Sequence, residues 1–269
     1  YQKIILTRDD ESKRHRLYLD GHIQFAEQDE YRYHEALVHP VLSVPGSQKR
    51  VLVLGGGDGL AVREILKYDD AEQITLVDID PAITRICSTL APITRLNQGS
   101  LDDPRVHIRN EDAFAFLRQS TKIFDRVIID LPDPHNEALS KLYSVEFYTL
   151  LARRLAAEGL LVSQSASPLM TKETFRAIGA TMRSAGFEIL RYKVNVPSFS
   201  GDWGFTLAAR PGFLPAAFMI PESKTRFLSS QVMEAATVFA KDERVPSSLS
   251  NSIFEPKLYL TYNREAARW

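Results

Sequence analysis

The stretch Val51-Leu52-Val53-Leu54-Gly55-Gly56-Gly57-Asp58-Gly59-Leu60 decides the fold class. Four consecutive apolar residues leave a strand with no polar face, as in a sheet covered on both sides. A glycine-rich turn stops the strand, and Leu60 to Tyr68 continues at helical spacing. The same alternation repeats downstream. Ile74 to Asp78 predicts a strand, and a helix follows from about Pro81 to Leu90. Val106 to Ile108 leads to Asp112 and a short helix, and Val127 to Asp130 reads as the next buried strand. A helix over about Val145 to Leu155, a strand over Leu160 to Gln164 and a helix over about Lys172 to Ala185 complete the series. Strands alternating with helices imply parallel βαβ units. Glu188 to Ala209 reads as two further strands joined by a loop containing Pro197 and Gly201.

Upstream of this series the pattern is antiparallel. Ile4 to Leu6, a charged turn from Arg8 to Arg16, Leu17 to Leu19, the turn signal Asp20-Gly21 and Ile23 to Phe25 read as short strands. A helix is expected from Asp29 to Leu37, ending near Pro40, and residues 210–269 read as an irregular extension. The expected architecture is α/β: a small N-terminal antiparallel β unit over residues 1–28, then a doubly wound, mostly parallel sheet within residues 29–269.

Composition narrows the function classes. With 269 residues, 44% hydrophobic and 25% charged, the chain has ordinary globular proportions and room for one large domain or two modest ones. Lys plus Arg is 33 and Asp plus Glu is 34, so the net charge of −1 provides no bulk basic field for nucleic acid or an anionic membrane. The single Cys87, placed on the apolar face of a helix, excludes an intrachain disulfide and a cysteine-rich zinc site. No apolar run approaches the roughly 18 residues of a membrane helix, and no signal-peptide pattern is visible. Because the chain opens at Tyr1 rather than Met, it is expected to be part of a longer protein.

Function is written at the strand ends. In open α/β sheets ligands bind beyond the carboxyl ends of the strands, and here Asp58, Asp78, Asp112 and Asp130 all fall at or near such ends. One acid there is ordinarily a helix cap; four in corresponding places point to a site. The glycine turn fits neither G-x-G-x-x-G, because Leu60 stands in the third glycine's place, nor a P-loop. An acid inside the turn would also repel a pyrophosphate. The ligand expected is therefore a nucleoside without phosphates. Asp78, 21 residues beyond Gly57, can accept hydrogen bonds from both ribose hydroxyls, whereas Asp80-Pro81 reads as a helix cap. Asp112 stands where adenine is usually held in such sheets. Together these features suggest an S-adenosyl-type ligand on a methyltransferase-like Rossmann fold. Asp130-Leu131-Pro132-Asp133 adds two carboxylates in a proline-stiffened turn. With Asp58 they suit a ligand ending in an ammonium better than one carrying an amino-acid carboxylate.

These residues resemble the spermidine and spermine synthases, the polyamine aminopropyltransferases. The landmarks are Leu19-Asp20-Gly21-His22-Ile23-Gln24, Asp29-Glu30-Tyr31-Arg32-Tyr33-His34-Glu35, the glycine turn, Asp112, Asp130 with Asp133-Pro134, Leu142-Tyr143 with Phe147-Tyr148, and Pro197-Ser198-Phe199 with Gly201. They run from Tyr1-Gln2 to about Ala209. The resemblance implies aminopropyl transfer from decarboxylated S-adenosylmethionine to a diamine such as putrescine, giving a longer polyamine and 5′-methylthioadenosine. By carry-over, Gln2, Gly55, Gly57, Asp78, Asp112 and Ala113 hold the nucleoside and Asp58 holds the aminopropyl ammonium. Tyr33, His34 and Asp133 orient the acceptor, and Asp130 takes its proton. No metal and no further cofactor is expected, because a sulfonium is already a good leaving group. The Leu131-Pro132 variant and the closing Tyr262 to Trp269 segment resemble the branch fused to membrane helices. That implies a cytoplasmic domain tethered to the cell membrane by a segment outside this chain, and the family implies a homodimer.

Three features depart from the family pattern, all on the acceptor side or the loop covering it. Leu131 and Pro132 replace small hydroxyl residues, His135-Asn136-Glu137 replaces a Gly-Pro, and Phe199 replaces a tyrosine. Two other readings use the same residues: a methyltransferase of the same topology, and a non-catalytic nucleoside- or polyamine-binding module. His34-Glu35 is not the start of a zinc motif, because Val38 occupies the second histidine position and His39 comes one residue late. Trp203 is a candidate either for packing over the acceptor or for anchoring the core, and Arg153-Arg154 reads as a solvated helix face.

Overall fold

The computed structural model describes residues 2–244 and 249–269; Tyr1, where the resemblance begins, lies outside them. Strands β1 (Ile4–Arg8), β2 (His15–Leu19) and β3 (His22–Ala26) form an antiparallel sheet in that order. Asp20 and Gly21, between β2 and β3, have φ of 49° and 87°. Two positive φ values in a two-residue loop match the twist of the flanking strands. The Asp20 carboxylate also accepts a hydrogen bond from the Lys3 N–H at 2.8 Å, tying the turn back to the first strand.

Helix α1 (Glu30–Leu42) joins this sheet to the rest of the chain. It ends near Pro40, as expected, but runs through it and stops two residues later at Leu42. Proline has no N–H to give the carbonyl four residues back. Here the Tyr192 hydroxyl donates to the Ala36 carbonyl at 2.7 Å, which repairs the gap from outside the helix.

The second sheet is built from β4 (Arg50–Gly55), α2 (Leu60–Ile65), β5 (Gln73–Val77), α3 (Pro81–Thr89), α4 (Ala91–Leu96), β6 (Val106–Arg109), α5 (Ala113–Gln119) and β7 (Phe124–Asp130). It continues with α6 (Glu137–Lys141), α7 (Val145–Arg154), β8 (Leu155–Gln164), α8 (Lys172–Ser184), β9 (Glu188–Val196) and β10 (Gly201–Ala209). Strand order is β6-β5-β4-β7-β8-β10-β9. The pairs from β6 to β8 are parallel, and β10 is antiparallel to both β8 and β9. This is the expected doubly wound α/β sheet. Alternate residues of β4 face opposite layers. Val51 and Val53 join the cluster containing α1 and α2, while Leu52 and Leu54 join the one containing α5, α7 and α8. Cys87 is fully buried in the first of these, as its helix face implied.

One expectation needs correction. Arg154 is not part of a solvated face: it is half-buried, and its guanidinium donates to the Leu117 carbonyl at 3.1 Å. Among the described residues after 210 the chain is mostly irregular. The helices there include α9 (Ser230–Ala236) and α10 (Leu258–Ala266), both too short to build a long periodic signal. Buried polar residues anchor them. The Glu35 carboxylate accepts from the N–H groups of Arg226, Phe227 and Leu228 at 2.7, 2.8 and 2.9 Å. The Glu265 carboxylate, on α10, accepts from Glu173 N, Thr174 N and Thr174 Oγ1 at the start of α8. Among the described residues no helix is long and apolar enough to cross a membrane.

Candidate active site

Strand order reverses around β4, whose neighbours β5 and β7 lie on opposite sides. A crevice opens beyond the strand ends at such a switch point. The cavity found there measures about 390 Å³. It is lined by every residue the sequence nominated: Gln2, Gly55, Gly57, Asp58, Asp78, Asp112 and Ala113 for the nucleoside and aminopropyl group, and Tyr33, His34, Asp130 and Asp133 for the acceptor.

The glycine turn brings backbone and carboxylates within reach of one ligand. Gly55 pairs with Asp130 across β4 and β7 and has φ +78°. A Cβ there would lie 2.1 Å from the Asp130 carbonyl oxygen, so the close approach of the two strand ends requires glycine. The Gly57 N–H donates to Asp78 Oδ2 at 3.0 Å, and the Asp80 N–H donates to Asp78 Oδ1 at 2.9 Å. Each carboxylate oxygen keeps acceptor capacity for a further hydrogen bond. Asp80 itself caps α3, accepting from the Ala82 N–H, as its Asp-Pro sequence implied. Asp112 combines two tasks: it caps α5 through the Ala115 N–H at 2.7 Å and lines the cavity wall. Two residues the sequence reading missed support the turn from beneath. Asn97 Nδ2 donates to the Asp58 carbonyl at 2.8 Å and Ser100 Oγ donates to the Gly59 carbonyl at 2.7 Å. Neither carries a motif that would mark it in sequence.

Acidic groups converge on the cavity beside the turn. Burial pushes the Asp58 carboxyl up to about 6, with the nearby Asp130 charge adding to the effect and the His34 charge opposing it. Burial also raises Asp130, against the pull of His34 and of a hydrogen bond from the Tyr33 hydroxyl. That bond reaches Asp130 Oδ1 at 2.6 Å. His34 is buried, and its Nδ1 faces both the carbonyl and the carboxylate of Glu30, at 2.8 and 2.9 Å. Burial works against a charged imidazole, but the Glu30 hydrogen bond and charge, aided by Asp58 and Asp130, lift His34 to about 9. These partners favour the charged imidazole over the neutral one. Arg63 grips Glu30 through two bonds of 2.8 and 2.9 Å, fixing the carboxylate that fixes the imidazole.

Asp133 forms a second acidic point. Burial pushes it up to about 6, against hydrogen bonds from Tyr262 and Gln164. The Tyr262 hydroxyl lies 3.0 Å from Oδ2 and Gln164 Nε2 lies 3.2 Å from Oδ1. Gln164, at the end of β8, also donates to the Leu131 carbonyl at 2.7 Å. The Tyr143 hydroxyl lies 3.1 Å from that carbonyl and 3.0 Å from the carbonyl of Pro132. These bonds hold the Leu131-Pro132 turn from behind. Gln164 was legible only as the last residue of a strand, and Tyr262 only as part of the closing segment. Phe199 and Trp203 both line the cavity, their rings meeting edge to face at 4.8 Å, so Trp203 belongs to the site wall. Phe199 also packs against Tyr33, with ring centroids 5.4 Å apart.

The arrangement suits a ligand with a nucleoside body and cationic ends. Residues 30–213 match the Spermine/spermidine synthase domain. The chain is 47% identical over 261 residues to polyamine aminopropyltransferase 1 of Streptomyces coelicolor, covering 95% of this chain and 48% of that protein. It is 43% identical over 268 residues to the polyamine aminopropyltransferase of Oceanobacillus iheyensis, covering 98% of this chain and 52% of that one. The chain thus spans about half the length of these curated relatives. Among solved structures, spermidine synthase from Thermotoga maritima superposes with a TM-score of 0.78 at 25% identity, covering 90% of this chain and 84% of that one. A spermidine synthase in complex with the transition state analogue AdoDATO superposes with a TM-score of 0.80 at 24% identity over the same shares.

Proposed function

The chain belongs to the spermine/spermidine synthase family, and on that premise we propose that it transfers an aminopropyl group from decarboxylated S-adenosylmethionine to a diamine such as putrescine. The observation that carries this reading is the set of three carboxylates, the buried Asp58 and the half-buried Asp130 and Asp133, in one cavity at the switch point of the sheet. A donor ending in an ammonium offsets their charge, whereas the amino-acid carboxylate of S-adenosylmethionine itself would meet Asp58. On this reading Asp78 takes the ribose hydroxyls, Asp112 and Ala113 border the adenine, Gln2 closes the nucleoside end, and Asp58 receives the aminopropyl ammonium.

The acceptor nitrogen attacks the methylene carbon bonded to the sulfonium. A C–N bond forms, the C–S bond breaks, and its electron pair stays on sulfur, leaving neutral 5′-methylthioadenosine. The new secondary ammonium loses one proton to Asp130. A free amine titrates near ~10, so it must be held deprotonated before it can attack. Burial raises Asp130 towards the range where a carboxylate accepts a proton, and the Tyr33 hydroxyl holds it in place. The Glu30 carboxylate favours a charged His34 beside Asp58 and Asp130, and that charge favours the anionic form of both. Tyr33 and Asp133 orient the acceptor chain for in-line attack.

The test is product analysis. Release of 5′-methylthioadenosine should depend on both decarboxylated S-adenosylmethionine and a diamine, and S-adenosylmethionine should be a poor ligand. Donor binding without turnover on putrescine, cadaverine or spermidine would overturn the catalytic reading. We propose in addition that two copies pair and that a further segment tethers the protein to the cytoplasmic face of a membrane. Sedimentation of the purified chain and fractionation of cells carrying the whole protein test these two points.

A further inference from the structure

Helix α10 lies beyond the residues that match the family domain, yet it sends one side chain into the cavity. The Tyr262 hydroxyl lies 3.0 Å from Asp133 Oδ2, on the opposite carboxylate oxygen from Gln164. Tyr262 and Gln164 are the two side chains that hydrogen-bond the Asp133 carboxylate among the described residues. The helix is locked in position at several points. Glu265 captures the start of α8, Asn263 Nδ2 donates to the His135 carbonyl at 3.0 Å, and Trp269 Nε1 donates to the Met170 carbonyl at 3.1 Å. So much anchoring fixes where the Tyr262 ring stands.

We propose that Tyr262 is a positioning residue for the acceptor: its hydroxyl sets the orientation in which Asp133 receives the distal ammonium of the amine, and its ring closes that end of the cavity and limits the chain length accepted. A carboxylate has about four lone-pair directions, and Tyr262 and Gln164 take two, leaving the rest for a ligand ammonium. This inference rests on the aminopropyl-transfer reading and extends it to amine selection.

Asp133 is faced by His22 from β3, Tyr33 from α1, Gln164 from β8, Tyr143 from the turn before α7, and Tyr262 from α10. Of these, Tyr262 and Gln164 hydrogen-bond its carboxylate and His22 favours its charged form electrostatically. Removing the Tyr262 hydroxyl therefore raises the Asp133 carboxyl further, and the acid limb of kcat/KM for the amine moves to higher pH.

The experiment is steady-state kinetics of Tyr262→Phe and Tyr262→Ala over pH 5 to 9 with a series of diamines, alongside calorimetric titration of 5′-methylthioadenosine. Tyr262→Phe should leave nucleoside affinity and kcat near wild type, raise the amine KM about tenfold and shift the acid limb upward. Tyr262→Ala should also move the preference towards longer amines. A purely structural role for α10 would lower thermal stability and kcat while leaving the pH limb and the length preference in place. Wild-type amine KM and pH profile in Tyr262→Phe overturn the proposal even if Tyr262→Ala fails to fold. A wild-type chain that neither binds nor uses any amine overturns the aminopropyl-transfer reading itself, and this inference with it.

Discussion

Replacing Gly57 by alanine tests the nucleoside half of the site with a single methyl group. The Gly57 φ lies outside the left-handed region, so the backbone accepts an L residue without strain. The added Cβ would stand 2.5 Å from Asp78 Oδ2, 2.8 Å from Ile83 Cγ2 and 2.9 Å from Asp78 Cγ. Ordinary contact begins at 3.4 Å, so the carboxylate must retreat by about 0.9 Å. A retreat of that size breaks or stretches the 3.0 Å bond from the Gly57 N–H and turns the carboxylate away from the cavity. On the proposed reading, Asp78 then loses at least one ribose hydrogen bond. A bond to a charged acceptor contributes about 1.5–3 kcal/mol, so the affinity for 5′-methylthioadenosine should fall about ten- to a hundredfold. Overpacking should cost about 1–3 kcal/mol of stability, a modest drop in Tm for a folded protein. Calorimetric titration of 5′-methylthioadenosine gives the first number and calorimetric unfolding the second. A folded Gly57→Ala chain that binds the nucleoside as tightly as wild type refutes the assignment of Asp78 to the ribose.

Asp130→Asn should keep the fold and nucleoside binding while lowering turnover by about 10²–10⁴-fold, measured as 5′-methylthioadenosine release; retained turnover removes Asp130 as the base. Asp58 and Asp133 both sit at about 6, above the usual carboxylate range, so each favours the folded chain while protonated and loses that contribution as pH rises through about 6. A cationic ligand needs them charged, so the rise in Tm caused by decarboxylated S-adenosylmethionine should be larger at pH 7.5 than at pH 5; equal shifts would refute the pairing. Tyr192→Phe leaves the Ala36 carbonyl without its donor in a helix containing Pro40, and should lower stability by about 1–3 kcal/mol in urea unfolding while kcat stays unchanged.

The sheet was readable because its strands are near-continuous apolar runs and its turns carry glycine, proline and aspartate, the residues whose backbone chemistry marks boundaries. Local pattern failed where a distant group changes the local rule. Pro40 signals a helix end, yet α1 runs two residues past it, with the Ala36 carbonyl that Pro40 leaves open satisfied by the Tyr192 hydroxyl from β9. Arg154 carries the charge of a solvated residue, and only the fold supplies the Leu117 carbonyl that draws it inward. The site followed the same division. Residues on strand ends were legible because the topology of an open α/β sheet gathers strand ends into one crevice. Asn97, Ser100, Gln164 and Tyr262 were not, because each acts through a contact more than 30 residues away in sequence, and single polar residues carry no periodicity.

The electrostatics of the site explain why its acids are paired with such an elaborate support. A cavity lined by three partly or fully desolvated carboxylates is unfavourable when all are charged and unsupported, and desolvation duly raises all three. On the proposed reading, protonating them would relieve the cost but would remove the base and the ammonium receptors. His34 offers a different solution. Its positive charge opposes the rise of Asp58 and Asp130, and its charged form is favoured because Glu30 holds its Nδ1 and Arg63 holds Glu30. The compensation is incomplete, since Asp58 remains near 6. On the proposed reading the remainder comes from the substrates: the donor ammonium at Asp58 and the acceptor ammonium at Asp133. The same partial compensation then selects the donor, because a ligand that brings a carboxylate to Asp58 adds to the charge the site already fails to balance.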